Sequence, residues 1–177
     1  MTMPRFDDTG SGNNARDASA GAKSNEKNEI TLQWGTFRLG GEIYGINVMQ
    51  IREVLRYTEI TPVPGAQYFV LGIINLRGNV VTVVDARRRF GLPDIETTNN
   101  TRIMIVETQG LVVGMLVDSV ADVTYLRQSE IELTPNVGND ESSKFIQGVC
   151  HKNDELLILI DLEKLIEIPQ VHDVVGF

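Results

Sequence analysis

Residues 69–84 read FVLGIINLRGNVVTVV, two runs rich in Val, Ile and Leu separated by Asn75-Leu76-Arg77-Gly78-Asn79. Branched aliphatic residues on both sides of a glycine-containing break predict strands at about 69–76 and 79–84, joined at Arg77-Gly78. Gly78 takes a positive φ at little steric cost, so the turn is tight and Arg77 is held on a strand end. A guanidinium so placed has two readings. It can pair bidentately with a carboxylate on a helical partner, where lysine would offer only a point charge. Alternatively it closes an internal pair with Glu53 or Asp85.

The same texture extends outward. On the N-terminal side Ile30, Leu32 and Trp34 alternate with polar neighbours, and the phase resumes at Phe37 and Leu39, as a bulge or bend at Gly35 would produce. Gly40-Gly41 turns the chain into Ile43-Tyr44-Gly45-Ile46 and completes a hairpin. Val48, Ile51, Val54 and Leu55 recur at helical spacing, which predicts a short helix over about 47–53 capped by Asn47. Thr61-Pro62-Val63-Pro64-Gly65 is a stiff extended stretch that ends in a turn. On the C-terminal side Asp85 caps a helical turn through Arg89, ended by Gly91 and Pro93. Strands follow near 102–108 and 111–117, turning at Gln109-Gly110. Others are expected near 120–127, 145–151 and 155–160, the last two turning at Asn153-Asp154. Residues 134–144 read as an exposed loop, and Asp161 opens a closing helix that Pro169 ends.

About ten short strands with few helices imply closed sheets, because closure removes the edges that invite aggregation. Small antiparallel barrels meet that demand. Residues 1–28 contain no Val, Ile or Leu and are expected to form a disordered tail. The folded part is then 29–168, with barrels at roughly 29–92 and 93–168 and strands exchanged between them, followed by a C-terminal tail at 169–177.

Charge and composition exclude much chemistry. The net charge is −8, with thirteen acids against four bases in residues 103–177 and seven against eight in residues 29–102. Binding a polyanion needs clustered Lys and Arg, so nucleic acid is not expected as a partner; aromatic residues, at 6%, offer no stacking platform. A mildly basic first half beside an acidic second half suits complementary contacts, solubility being the other reading. Cys150 is the only cysteine and reads as a small core residue. His151 and His172, the only histidines, are not spaced for a metal. GxxxxGK[ST], GxSxG and GxGxxG are absent. Arg87-Arg88-Arg89 diverge from one helical turn and read as a solvated face. No apolar run reaches the roughly 18 to 20 residues of a membrane span, so a cytoplasmic location is expected. Neither a catalytic residue nor a cofactor or metal site is assigned.

The segment Gly72-Ile73-Ile74-Asn75-Leu76-Arg77-Gly78-Asn79-Val80-Val81, preceded by Ile60-Thr61-Pro62-Val63-Pro64, resembles the signature of the CheW family of chemotaxis coupling proteins. Tyr44-Gly45-Ile46, Ile51-Arg52-Glu53-Val54, DARRRFG at 85–91 and VVGMLVD at 112–118 match in the same order, so the resemblance covers about residues 30–168. Thr82 and Ala86 stand where the family's Val-x-Pro-Val-x-Asp-Leu stretch has Pro and Leu, and the N-terminal tail is an addition. The resemblance implies a mainly all-β fold of two intertwined five-stranded SH3-like barrels with a shared hydrophobic interior and a few short helices. It implies an adaptor without enzymatic activity or cofactor. Such an adaptor couples the cytoplasmic tip of methyl-accepting chemotaxis receptors to the regulatory domain of the histidine kinase CheA. It is cytoplasmic and reaches arrays at the inner membrane only through receptors. For receptor contact the resemblance points to Ile51, Glu53, Val54, Gly72, Asn75, Arg77 and Gly78. For kinase contact, expected on the other barrel, it points to Val113, Gly114 and Val117.

Overall fold

The computed structural model describes residues 29–133 and 141–167. The tails at 1–28 and 169–177 and most of the 134–144 loop lie outside the described residues. Ten strands succeed one another: β1 (Thr31–Leu39), β2 (Glu42–Asn47), β3 (Ile51–Arg56), β4 (Val70–Leu76), β5 (Asn79–Asp85), β6 (Arg102–Thr108), β7 (Leu111–Val117), β8 (Ser119–Arg127), β9 (Ile146–Lys152) and β10 (Glu155–Ile160). Two four-residue helices follow β5 and β10: α1 (Ala86–Arg89), capped by Asp85, and α2 (Leu162–Leu165), capped by Asp161. Arg77-Gly78, Gln109-Gly110 and Asn153-Asp154 have positive φ at both central residues, the turn whose twist matches that of the flanking strands. Residues 141–144, read as loop, and Phe145, read as the start of a strand, form a 3-10 helix, Glu141–Phe145.

The strands make two five-stranded sheets, in the orders β8-β1-β2-β10-β9 and β3-β6-β7-β5-β4. These are one arrangement used twice. In each, one strand of a first hairpin runs parallel to one strand of a second, β2 beside β10 and β7 beside β5. The second sheet is continuous in sequence, whereas the first takes β1 and β2 from the far end of the chain. A boundary near residue 92 therefore does not separate the sheets: β5 and β6, on either side of it, lie in the same one. Parallel neighbours need a long crossover, and between β2 and β10 that crossover contains the whole second sheet together with β8 and β9.

Both faces of the sheets are covered. In β6, Ile103 and Ile105 point into their own barrel, while Met104 and Val106 join Phe37, Leu39, Val84 and Met115 in a core between the sheets. An apolar run without alternation is the signature of a strand buried on both sides. The same geometry explains β1. It pairs with β2 without interruption, so Leu32 and Trp34 face the barrel interior and Phe37 and Leu39 face the shared core; the extra residue, opposite Thr36, belongs to β8. Gly35 answers a different need, since a Cβ there would stand 2.2 Å from Ile51 Cδ1.

The helix expected over 47–53 is a single 3-10 turn, Val48–Gln50, with Asn47 Oδ1 accepting from the Met49 N–H at 3.0 Å. Ile51–Arg56 is a strand. A bulge at Arg52 shifts its register against β6, sending Ile51 to the shared core and Leu55 to the barrel interior. That one-residue shift produced the spacing that imitates a helix.

The arginine triplet is not a solvated face. Its members diverge, but each ends on a partner because α1 lies where the two sheets meet. Arg87 donates through Nε and Nη2 to Asp118 at 2.7 and 2.6 Å, and Asp118 also accepts the Gly40 N–H at 2.7 Å. Arg88 forks onto Asp94 at 3.1 and 3.0 Å and lies over the Tyr68 ring. Arg89 lies over the rings of Phe69 and Phe145 and donates to the Leu165 and Lys164 carbonyls at 2.7 and 3.1 Å, fixing the end of α2.

Candidate partner-binding groove

β3 and β4 are the two edges of the second sheet, and the sheet curls until they are stitched together. Thr61 exchanges both backbone hydrogen bonds with Ile73, at 2.9 Å each. Further along, Arg77 Nη1 donates to Glu53 Oε1 at 3.1 Å while Nη2 donates to Oε2. Of the two readings of Arg77, the internal one is therefore realised, and with Glu53. Asp85 is buried and caps α1 through the Arg87 N–H at 2.9 Å. Hydrogen bonding to Arg77 holds the Glu53 carboxyl below the usual carboxylate range. The pair faces solvent, with the Arg77 side chain 70% exposed, and a guanidinium has five donors, so pairing with Glu53 leaves donors for a second carboxylate. Asn75 Oδ1 accepts the Gly78 N–H at 2.9 Å and braces the turn.

Gly72, also indicated by the resemblance, contributes no surface. It is buried, with φ +149°, and a Cβ there would stand 2.0 Å from the Thr61 carbonyl oxygen. Its work is to let the two edges meet.

Ile51 and Val54 open onto a feature that sequence reasoning missed. Ile51 sits on Gly35, and Gly35 pairs with Val123 of β8. Paired residues share a face of the sheet, so Val123, Tyr125 opposite Gln33 and Val120 opposite Phe37 lie on the face that forms the shared core. At its margin Val123 is 46% and Tyr125 57% exposed; across the junction Val54, opposite Met104, is 42% exposed. The edge strands β8 and β3 thus line two banks of the shared core where it reaches the surface, with Ile51 between them. Glu53, opposite Ile105, is on the other face of β3, so the Arg77–Glu53 pair flanks that strand on its barrel side.

The family model described as CheW-like domain matches residues 33–170. The chain belongs to that family. Chemotaxis protein CheW of Rhizobium meliloti (strain 1021) is 35% identical over 129 residues, 73% of this chain and 83% of the relative. The protein of the same name from Bacillus subtilis (strain 168) is 34% identical over 131 residues, 74% and 84% of the two chains. The crystal structure of the scaffolding protein TtCheW from Thermoanaerobacter tengcongensis superposes with a TM-score of 0.73 at 33% identity, covering 79% of this chain and 95% of that one.

In this CheW-like chain the residues indicated for kinase contact are not on a surface. β7 is flanked by β6 and β5, in the same sheet as Arg77 and not in the other one. Val113 and Val117 are 0% and 1% exposed in the shared core, and a Cβ on Gly114 would lie 3.0 Å from Ile103 and 3.3 Å from Val83. Their conspicuous hydrophobicity is that of a central strand. The β8 strip did leave a signal in the sequence: Val120, Val123 and Tyr125 fall on one face only when the bulge near Ala121-Asp122 is counted, and unbroken alternation hides it. Cys150 is in the core, where burial pushes its thiol up, away from reactivity. Among the described residues no group of three or more His, Cys, Asp or Glu is placed to hold a metal, and no helix is long and apolar enough to cross a membrane.

Proposed function

We propose that the chain is a non-catalytic adaptor that couples the cytoplasmic tip of methyl-accepting chemotaxis receptors to the regulatory domain of the histidine kinase CheA, working in the cytoplasm and recruited to inner-membrane arrays through the receptors. The observation that carries this reading is the groove between β8 and β3. It offers apolar surface at Ile51 and Val54 on one side and at Val123 and Tyr125 on the other, with the exposed Arg77–Glu53 pair carried on the same strand, β3. An amphipathic helix docks into such a groove through an apolar stripe and takes its register from charges at the rim. The names of the relatives, chemotaxis protein CheW and scaffolding protein, support the same assignment. The kinase contact falls to exposed surface outside the buried β7.

Co-sedimentation with receptor-bearing membranes, with and without kinase, tests the reading. Val123→Asp and Arg77→Ala each reduce the fraction bound while leaving thermal unfolding within about 0.5 kcal/mol of wild type, as expected for exposed positions. Undiminished binding by both variants excludes the groove, and a large loss of stability reassigns these residues to the fold.

A further inference from the structure

Arg56 of β3 and Arg102 of β6 are direct cross-strand partners, so two positive charges stand side by side on one face of the second sheet. Like charges in that position destabilise a sheet. Among the described residues neither forms an ion pair with a carboxylate. Arg102 Nη1 donates to the backbone carbonyls of Asn99 and Thr101 at 2.8 and 2.9 Å. That anchor is itself fixed, since Thr101 is 4% exposed and its hydroxyl oxygen accepts the Thr98 N–H at 2.8 Å. The Arg102 guanidinium is thus held in place with most of its five donors left over.

The face these two arginines share is that of the β8–β3 groove. Along β3, Val54 opposite Met104 is on the shared-core side and Leu55 opposite Ile103 on the barrel side, so Arg56, one step further, returns to the side of Val54. Arg102 is also opposite Val117, which lies in the shared core. Val117 ends β7, and after Asp118 alone β8 begins at Ser119. The chain therefore crosses from one sheet to the other beside Arg102 and bounds the groove at that end. Val120, 37% exposed, is the first apolar residue of the β8 bank beyond the crossing. The Arg77–Glu53 pair is on the barrel side of β3 and already internally matched, whereas Arg56 and Arg102 face the groove and are unmatched.

We propose that Arg56 and Arg102 set the orientation and choice of the receptor helix, by receiving acidic side chains about one helical turn beyond the residue that packs on Val54. The inference rests on the receptor reading of the groove and specifies the chemistry of that partner. Two strand residues from Val54 to Arg56 span about 6.7 Å, and one turn of α-helix rises about 5.4 Å, a difference that the arginine stem absorbs. Two adjacent guanidinium groups suit an acidic pair spaced i, i+3 or i, i+4, whose Cβ atoms are about 5–6 Å apart. The repulsion left in the free protein is relieved only when such a helix arrives, and a helix with a basic residue there is turned away.

Co-sedimentation of the full chain with receptor-bearing membranes, from about 50 to about 500 mM salt, tests it beside urea unfolding of the same proteins. Arg56→Glu weakens binding about tenfold or more and flattens its salt dependence. The same substitution raises the urea midpoint, because a like-charge cross-strand pair becomes an opposite-charge one. A role in the fold alone would not move binding and stability in opposite directions. Among receptor tips in which each Asp or Glu is replaced in turn by Arg, one restores binding of Arg56→Glu and weakens that of the wild type. Wild-type binding by Arg56→Glu, an unchanged salt dependence, or the lack of any restoring tip overturns the proposal. If Val123→Asp still abolishes binding in that case, the groove reading stands; if Val123→Asp also binds normally, both fall.

Discussion

Substituting Gly72 and Gly148 by alanine compares the same place in the two barrels. Each is the third residue of its strand, β4 or β9, and each lies against a segment bridged to that strand, Thr61 to Ile73 in one barrel and Glu132 to Val149 in the other. The cost should differ sharply. At Gly72 the added Cβ would meet the Thr61 carbonyl oxygen at 2.0 Å and its carbon at 2.6 Å, a backbone clash relieved only by opening the bridge. Two hydrogen bonds of 2.9 Å are then lost, about 1 kcal/mol each, and alanine at φ +149° adds about 1–3 kcal/mol of strain. Reduced freedom of the unfolded chain returns about 0.4–1 kcal/mol. The net is about 3 kcal/mol, which with a urea slope of about 2 kcal/mol/M lowers the midpoint by about 1.5 M. At Gly148 the φ is not left-handed, and the Cβ would lie 2.8 Å from Ile131 Cγ2 and 3.0 Å from the Glu132 oxygen, an overpacking cost of about 1 kcal/mol. Urea unfolding followed by far-UV circular dichroism reads both. Equal midpoints for Gly72→Ala and wild type, or a larger loss at Gly148, would refute the view that Gly72 serves edge closure.

Other outcomes follow from the buried pairings. Val113→Ala, which opens a cavity in the shared core, costs about 2 kcal/mol in the same assay, while kinase pull-down at a temperature where the variant is folded stays at the wild-type level. Asp118→Ala leaves Arg87 and the Gly40 N–H without their acceptor and costs about 2 kcal/mol at neutral pH. Burial pushes the Asp118 carboxyl up, but hydrogen bonds from Arg87 and Gly40 outweigh it and hold it below its usual range. A carboxyl with a depressed folded value stabilises fully above its unfolded value of about 3.9 and loses that contribution as the pH falls through the folded value. The stability gap between wild type and Asp118→Ala therefore narrows in acid below about pH 4; a gap that widens there contradicts the assignment.

Nine of the ten strands, the Arg77-Gly78 turn, the capping roles of Asn47 and Asp85, the helix that Asp161 opens and the core position of Cys150 were all legible in the sequence, since each depends on residues a few places apart. Three of the errors share one origin. The helix expected at 47–53, the bulge expected in β1 at Gly35 and the hidden β8 strip all come from bulges, whose extra residue changes phase only by reference to a partner strand 50 to 90 places away in sequence. Arg87-Arg88-Arg89 looked solvated because Asp118 and the end of α2 approach α1 only in the folded chain.

By itself, the sequence determined every strand except β3, because alternation, branched side chains and turn residues act locally. Tertiary structure decided which barrel each hairpin completes, that Arg77 closes on Glu53, and that Val113, Gly114 and Val117 are core while Val123 and Tyr125 are surface. Those outcomes are set by which faces the two sheets cover when they pack, and hydrophobicity along a single strand cannot tell a side chain facing the shared core from one standing at its open margin.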